Sequence, residues 1–225
     1  MWFFYVALPL LLLVFGVHAD VDRVFKGSEM VAEVALRMSD CEGAGTDSDI
    51  TLSLGYLDLD NKLVYSIETQ GIKGNHRNNF ERSTATYWSY GLGLKKSAEI
   101  EQECYNYAQG NQSLYEDCFN PNLAYFRMYS WWNNWRDTWR PNQIDTVLTS
   151  YLPDKTFYRQ AARFKLRHNY CTLEWAKGDE DSYLCRDRHG YDVWFPRGHG
   201  LEKGTMFHEC RLGRRKLRTA HLVHH

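Results

Sequence analysis

Oxygen-bearing groups are concentrated in a short segment that precedes a long alternating run. Asp47 and Asp49 stand two positions apart, so in an extended chain both carboxylates project to the side opposite the buried face. Hard oxygen ligands grouped on a loop suit Ca²⁺, which makes calcium the candidate cofactor. The alternative is that Asp47 only caps a turn by accepting hydrogen bonds from backbone N–H groups. The candidate metal ligands are Gly45, Thr46, Asp47 and Asp49.

Three tryptophans, Trp131, Trp132 and Trp135, fall within five residues, so not all of them can point into a core from one strand. Indole rings partition to the interface of a lipid bilayer, where the ring and the N–H group both find partners. Three arginines in this region, Arg127, Arg136 and Arg140, could contact lipid phosphates. The alternatives are burial of the rings in the core and contact with a protein partner. The candidate membrane-binding or partner-binding residues are Trp131, Trp132, Trp135 and Arg136.

The sequence lacks the residue patterns of common hydrolytic sites. It has no Gly-x-Ser-x-Gly nucleophile elbow, and His208-Glu-Cys210 lacks the second histidine of a zinc-protease helix. Asp58 and Asp60 fall in a predicted turn, where most acidic pairs are solvated surface groups. The formal net charge of -1 gives no global attraction for nucleic acid. We therefore predict a binding protein with no catalytic residues and no nucleic-acid partner.

The first 19 residues carry no Lys, Arg, Asp or Glu and end in the small-x-small sequence Val17-His-Ala19. This pattern predicts a signal peptide over residues 1–19 and a secreted, extracellular protein. A membrane anchor is the alternative, but the apolar run is shorter than the ~20 residues that span a bilayer. Asn111-Gln-Ser is a sequon, which predicts N-glycosylation at Asn111 in a secreted chain.

Six cysteines, an even number, predict disulfide bonds in a secreted chain. Zinc is the rival use of cysteine, but the sequence has no Cys-x-x-Cys pair. Six cysteines allow about 15 pairings, and short separations favour two local loops and one long-range bond. The hypothesis pairs Cys104 with Cys118, Cys171 with Cys185, and Cys41 with Cys210.

Apolar and polar residues alternate at several places in the middle of the chain, a pattern typical of half-buried strands. Residues 95–122 differ in composition, and an acidic helical pattern begins there at Ala98. The polar segment 151–163 is expected to be a connection, and 188–225 is rich in Gly, His and Arg. Strands are expected over 33–38, 50–56, 59–67, 84–90 and 123–130.

Two motifs stand in order along this part of the chain. Gly43-Ala-Gly-Thr-Asp47 precedes an alternating strand, and Asn78-Asn-Phe-Glu-Arg82 comes about thirty residues later, ahead of another strand-like run. Together they resemble the PLAT domain, the β-sandwich of polycystins, lipoxygenases, animal lipases and clostridial alpha-toxin. The resemblance extends from about residue 30 to about residue 187, with one insertion.

The resemblance implies an all-β fold, an antiparallel β-sandwich of about eight strands. The sandwich is expected over 28–187, with a disulfide-closed, partly helical insertion at 95–122 and an irregular C-terminal tail at 188–225. By resemblance Asp47 is the best calcium ligand. The family usually has His-Asp-Asn near the tryptophan loop, where this chain has Tyr129, Ser130 and Trp131, so one usual calcium aspartate is missing.

The predicted function is docking to a lipid surface or to a membrane-associated protein, with calcium as a candidate aid. The first alternative is a secreted protein-binding ligand, such as a signalling or venom component, without lipid affinity. The second alternative is an enzyme with an unrecognised site. The sequence leaves the oligomeric state open.

Overall fold

The computed structural model describes most of the sandwich region and parts of the tail. The described residues are 21–42, 44, 49–69, 71, 80, 82–129, 138–165, 176–177, 181–186, 192–195, 200–210 and 221–223. The two helices are α1 (Gly93–Ala108) and α2 (Gln112–Cys118). The strands are β1 (Glu29–Met38), β2 (Asp49–Leu57), β3 (Leu63–Glu68), β4 (Ala85–Gly91), β5 (Leu123–Tyr129), β6 (Thr138–Trp139), β7 (Pro141–Tyr151), β8 (Phe157–Lys165), β9 (Ala176–Lys177), β10 (Asp181–Arg186), β11 (Asp192–Phe195) and β12 (His221–Val223).

The strands form two five-stranded antiparallel sheets and one short pair. The first sheet has the order β12-β8-β7-β1-β4, and the second has the order β11-β10-β5-β2-β3. The pair β6-β9 lies beside them. Without the short edge strands β11 and β12, four strands remain in each sheet, which confirms the predicted all-β sandwich of about eight strands.

Side chains that alternate along the central strands form the core between the sheets. On β1 the buried side chains are every second residue, and Ile50, Leu52 and Leu54 of β2 meet them from the other sheet. Each strand thus buries one face and leaves the other partly exposed, as the period of two predicted. The buried residues of β1 are Met30, Ala32, Val34, Leu36 and Met38.

The prediction of a polar connection over 151–163 is wrong. A turn over 152–156 is followed by β8 (Phe157–Lys165), which pairs with β7 from Tyr151↔Phe157 to Gln143↔Lys165. Arg159, Ala161 and Arg163 are exposed on the outward face of the sheet, so the composition of this strand is polar although its geometry is regular. Pairing with a neighbouring strand, which composition does not reveal, makes it a strand.

The predicted helical insertion is confirmed, and it belongs to the core. Cys104 of α1 is bonded to Cys118 of α2, as predicted. Ile100 and Tyr115 are fully buried in the same core cluster as the strand residues. The insertion therefore covers apolar surface of the sandwich with the buried faces of its two helices.

The other two cysteine pairings of the hypothesis are wrong. Cys185 is bonded to Cys210, which excludes both Cys171–Cys185 and Cys41–Cys210. The segment 200–210 packs on the second sheet through Phe207, whose ring lies 5.0 Å from that of Tyr183, and this brings Cys210 to β10. Cys41 is disulfide-bonded as well.

Several sequence predictions fall on residues that are not described. The predicted signal peptide, residues 1–19, lies outside the described part of the chain. Within that part, no helix combines the length and the apolar character that crossing a bilayer requires.

Candidate docking site at the loop end

One end of the sandwich is formed by the end of β1, the start of β2, the end of β5 and the start of β7. Met38 pairs with Pro141 in the first sheet, and Asp49 pairs with Tyr129 in the second. We call this end the loop end, because the connections 39–48 and 130–137 leave from it. The opposite end, which carries α1 and α2, is the helix end.

The two segments that the sequence singled out leave the sandwich side by side. Asp49 and Tyr129 are register partners, so their Cα atoms lie about 5 Å apart. Asp49 is partly exposed, and it makes an electrostatic or hydrogen-bond contact of its own. The other candidate residues, Gly45, Thr46, Asp47, Trp131, Trp132, Trp135 and Arg136, lie outside the described residues.

Residues of the second motif hold the loop end together. Phe80 is 1% exposed, and its ring lies 6.2 Å from that of Trp139, which in turn packs 5.2 Å from Phe126. Arg82 forms an ion pair with Asp40. The motif thus contributes an aromatic core contact and a surface ion pair.

The carboxylate of Asp40 accepts hydrogen bonds from Ser83 Oγ and from Arg82 Nε, both at 2.8 Å. These two bonds, with that of Ser83 as the larger cause, lower the pKa of Asp40 from its ordinary value. Asp40 directly precedes Cys41, so the ion pair ties 82–83 to the start of the connection that carries the candidate calcium ligands.

The base of that connection is anchored by backbone hydrogen bonds. Ala44 is fully buried and donates its N–H to the carbonyl of Cys41 at 3.0 Å. Arg140 donates its N–H to the carbonyl of Ala44 at 3.2 Å. The residue that follows the tryptophan segment therefore contacts the residue that precedes Gly45.

The three arginines expected to face lipid phosphates differ in their environments. Arg127 makes two hydrogen bonds to Asp181, at 2.9 and 3.0 Å, so its charge is neutralised within the protein. Arg136 lies outside the described residues. Arg140 is 4% exposed, and its Nη1 atom has no hydrogen-bond partner among the residues that the structure describes. Burial lowers the pKa of Arg140 from its ordinary value.

Tyr125 adds a third hydrogen bond to Asp181, beside the two from Arg127. Burial alone would raise the pKa of Asp181, but the hydrogen bonds from Arg127 and from Tyr125 Oη (2.6 Å) lower it overall. Burial, with the hydrogen bond to Asp181 as the next cause, raises the pKa of Tyr125 to about 12. This cluster is a satisfied structural unit, so it does not leave a cation available for a lipid.

Motifs considered for catalysis have structural roles. The Asp58 carboxylate accepts backbone N–H groups of Asp60 and Lys62 and so closes the β2–β3 turn. Next to Cys210, Glu209 accepts a hydrogen bond of 2.7 Å from Tyr183 Oη. Within the described ranges, no three His, Cys, Asp or Glu side chains are grouped so as to hold a metal ion.

A cleft of about 350 Å³ is lined by β8, by residues at and after the end of α2, and by Arg186 and Asp192. Both arginines of the cleft are paired: Arg186 with Asp192 at 3.3 Å, and Arg163 with Asp145. The cleft is therefore a less obvious site for a charged ligand than the buried Arg140. Its lining consists of Asp117, Asn120, Asn122, Ala161, Ala162, Arg163, Phe164, Lys165, Arg186 and Asp192.

Sequence reasoning did not predict that Arg140 and its neighbour Ser39 are buried. Ser39 donates its N–H to the carbonyl of Arg140 at 3.1 Å, and its own hydroxyl is buried without a partner. The only sequence signal was the closeness of Arg140 to the tryptophans. Whether an arginine is buried or paired depends on residues that are distant in the chain.

No protein-family model matches the chain, and the search of curated proteins gave no match. Among solved structures, a coral 8R-lipoxygenase, described as activated by calcium through a C2-like domain, is 17% identical with a TM-score of 0.36. It covers 70% of this chain and 17% of its own. A LOX variant in complex with arachidonate is 15% identical with a TM-score of 0.35, covering 69% of this chain and 16% of its own. This chain thus spans about a sixth of the length of the lipoxygenases it matches.

Proposed function

We propose that this protein is a binding module whose loop end docks to a lipid surface or to a membrane-associated protein. The proposal rests on one observation, the register pair Asp49↔Tyr129. Because of this pair, the segment with the candidate calcium ligands and the segment with three tryptophans leave adjacent positions at one end of a β-sandwich. A rigid sandwich that holds two recognition segments next to each other reduces the conformational entropy lost on docking.

The chemistry of the two segments complements a membrane interface. Trp131, Trp132 and Trp135 would supply rings that partition to the headgroup region. Asp47 with Asp49 would supply oxygen ligands for a Ca²⁺ ion that bridges to anionic headgroups. An extracellular protein meets millimolar calcium, so a site of low affinity is sufficient. This proposal extends the resemblance to the PLAT domain from the fold to the function.

Sedimentation with vesicles tests the proposal. Vesicles of phosphatidylcholine, with or without phosphatidylserine, are mixed with the protein in calcium or in EGTA. We expect the wild-type protein to sediment and the triple variant Trp131→Ala, Trp132→Ala, Trp135→Ala to stay in the supernatant. Tyr151→Ala is the matched control, because Tyr151 is a 50% exposed aromatic residue at the opposite end of β7.

The outcomes separate the parts of the proposal. If the wild-type protein sediments with no vesicle in either condition, docking to lipid is wrong. If the control variant loses binding as fully as the triple variant, the loop end is not the contact surface. Sedimentation that is equal in calcium and in EGTA removes calcium from the proposal but leaves docking in place.

One observation favours the alternative of a protein-binding ligand. The outward face of the first sheet carries small apolar side chains in adjacent registers, since Ala35 pairs with Tyr87 and Val147 pairs with Ala161. Tyr87 is 67% exposed on this face. Exposed aromatic residues are frequent in protein interfaces. A ligand of this kind would remain in the supernatant with every vesicle, so the same assay distinguishes the two functions.

A further inference from the structure

Arg140 is a buried cation, and its guanidinium atom Nη1 has no acceptor among the described residues. The residue as a whole is 4% exposed, and Nη1 is enclosed without a hydrogen bond to any described residue. Ser39, which is bonded to Arg140 through the backbone at 3.1 Å, is 3% exposed and has a hydroxyl group without a partner. Two neighbouring residues of the loop end therefore hold enclosed polar groups that no described acceptor satisfies.

A buried charge is unfavourable unless an opposite charge or hydrogen bonds compensate it. Arginine is therefore almost never fully buried without a partner. Burial lowers the pKa of Arg140, as expected for a guanidinium that no anion of the described residues compensates. Both unsatisfied groups can donate hydrogen bonds, so the component that would complete this site is an anion with oxygen acceptors.

We propose that Arg140 and Ser39 form a subsite for a phosphate group. The planar guanidinium presents N–H groups in a fork that matches two phosphate oxygens, and a serine hydroxyl can donate to a third. As a headgroup site, this inference rests on the proposed docking function. Free phosphate has the same chemistry, so the experiment must distinguish the two sources.

The position of the subsite agrees with a role at the loop end. Arg140 follows the tryptophan segment and contacts Ala44, the residue before Gly45, at 3.2 Å. A phosphate bound there would lie at the base of both candidate recognition segments. By contrast Arg82, at the same end, is already paired with Asp40 and is 53% exposed. Arg82 is therefore the matched control for Arg140.

Thermal unfolding with and without inorganic phosphate is the first test, with sodium chloride at equal ionic strength as reference. We expect phosphate to raise the Tm of the wild-type protein and of Arg82→Met but not that of Arg140→Met. Without phosphate, Arg140→Met should have a higher Tm than the wild-type protein, because an uncompensated buried charge is replaced by an apolar side chain. A merely structural arginine would give a lower Tm.

Two milder variants keep the test valid if Arg140→Met does not fold. Arg140→Lys keeps the charge but loses the fork, and Ser39→Ala loses one donor. Each should weaken phosphate binding by about tenfold while the far-ultraviolet circular dichroism remains unchanged. The proposal is overturned if phosphate does not stabilise the wild-type protein, or if the Arg140 variants bind phosphate as tightly as the wild-type protein does.

Vesicles identify the source of the phosphate and separate this inference from the proposed function. If the headgroup is the ligand, sedimentation with phosphatidic acid vesicles should weaken about tenfold in Arg140→Lys. If the phosphate response depends on Arg140 but no vesicle binds, the subsite takes free phosphate and docking to lipid is wrong. If vesicle binding requires the tryptophans and is unchanged in both Arg140 variants, docking stands and the subsite is wrong.

Discussion

Two arginines at opposite ends of the molecule differ in their partners. At the helix end, Arg23 forms an ion pair with Glu101 and stacks 4.3 Å from the ring of Tyr105. The hydrogen bond to Glu101 is the main cause of a raised pKa for Arg23. At the loop end, burial lowers the pKa of Arg140, which has no acceptor for Nη1 among the described residues. The same residue type is therefore stabilised as a cation in one place and destabilised in the other.

The difference indicates where the chain serves stability and where it serves binding. Glu101 is 3% exposed and accepts a further hydrogen bond of 2.9 Å from Tyr115 Oη, so the network centred on Glu101 compensates its buried charge. A buried polar group without a partner is rare in folded proteins, and a bound ion or ligand is one physical explanation for it. The incomplete network around Arg140 is therefore the better candidate for ligand binding.

The largest expected loss of stability comes from removing the acidic partner of Arg23. Glu101→Ala removes a buried carboxylate, so the partly buried guanidinium of Arg23 loses its ion pair and the buried hydroxyl of Tyr115 loses its acceptor. Breaking a buried pair in this way costs about 3–5 kcal/mol in the free energy of unfolding. Urea denaturation of the purified variant measures this loss.

The control for this prediction is Glu99→Ala. Glu99 pairs with Lys96 at 2.6 Å on the helix surface, with side-chain exposures of 54% and 35%. Such pairs contribute about 0.5 kcal/mol or less. Equal losses in the two glutamate variants would show that the helix end does not depend on the buried charge.

The next largest effect concerns the covalent bond at the helix end. Replacing Cys104 and Cys118 by alanine opens a loop of 14 residues and should lower the free energy of unfolding by about 3 kcal/mol. Because Ile100 and Tyr115 connect the helices to the core, the whole sandwich should lose stability in one transition. A separate early transition of the helices, seen by circular dichroism but not by tryptophan fluorescence, would contradict this.

A smaller effect is expected at the start of α2, where Asn111 both caps the helix and begins the sequon. Its Oδ1 atom accepts the N–H groups of Ser113 at 3.0 Å and Leu114 at 3.2 Å. Asn111→Ala should cost about 1 kcal/mol in the free energy of unfolding, whereas Asn111→Asp keeps the cap. Denaturation of unglycosylated protein measures this difference.

The same position tests glycosylation independently of stability. Asn111→Asp and Ser113→Ala should both lose the glycan of protein expressed in a secretory cell, because both destroy the sequon. Mass spectrometry before and after enzymatic deglycosylation measures this. A mass that deglycosylation leaves unchanged in the wild-type chain would contradict the predicted modification.

A further effect appears only at high pH, outside the range in which the other variants are compared. The pKa of Tyr125 is raised to about 12 in the folded protein, by burial first and then by the bond to Asp181. A folded-state pKa above the unfolded value of about 10 contributes stability that is complete below pH 10 and is lost as the pH rises toward 12. Tyr125→Phe should therefore show a shallower loss of stability in this range, and an unchanged slope would refute the assignment.

Sequence reasoning predicted the parts of the fold that depend on local pattern. Alternation in 33–38 and 50–56 predicted β1 and β2, and a separation of 14 residues predicted the Cys104–Cys118 bond. It failed at β8, whose exposed positions are polar, because pairing with β7 defines that strand. It failed for Cys185 as well, because the folding of 200–210 back onto β10 brings Cys210 within bonding distance.

For the candidate site, the sequence by itself determined which chemical groups are available: acids before β2, tryptophans after β5 and several arginines. Only the tertiary structure decided which of those charges are compensated. Arg23 and Glu101 are separated by 78 residues, and Arg127 and Asp181 by 54, so no local pattern reveals either pair. The physical reason is that burial and ion pairing depend on the packing of distant segments. Packing gives Arg127 a carboxylate and leaves Arg140 with an unsatisfied N–H group at the loop end.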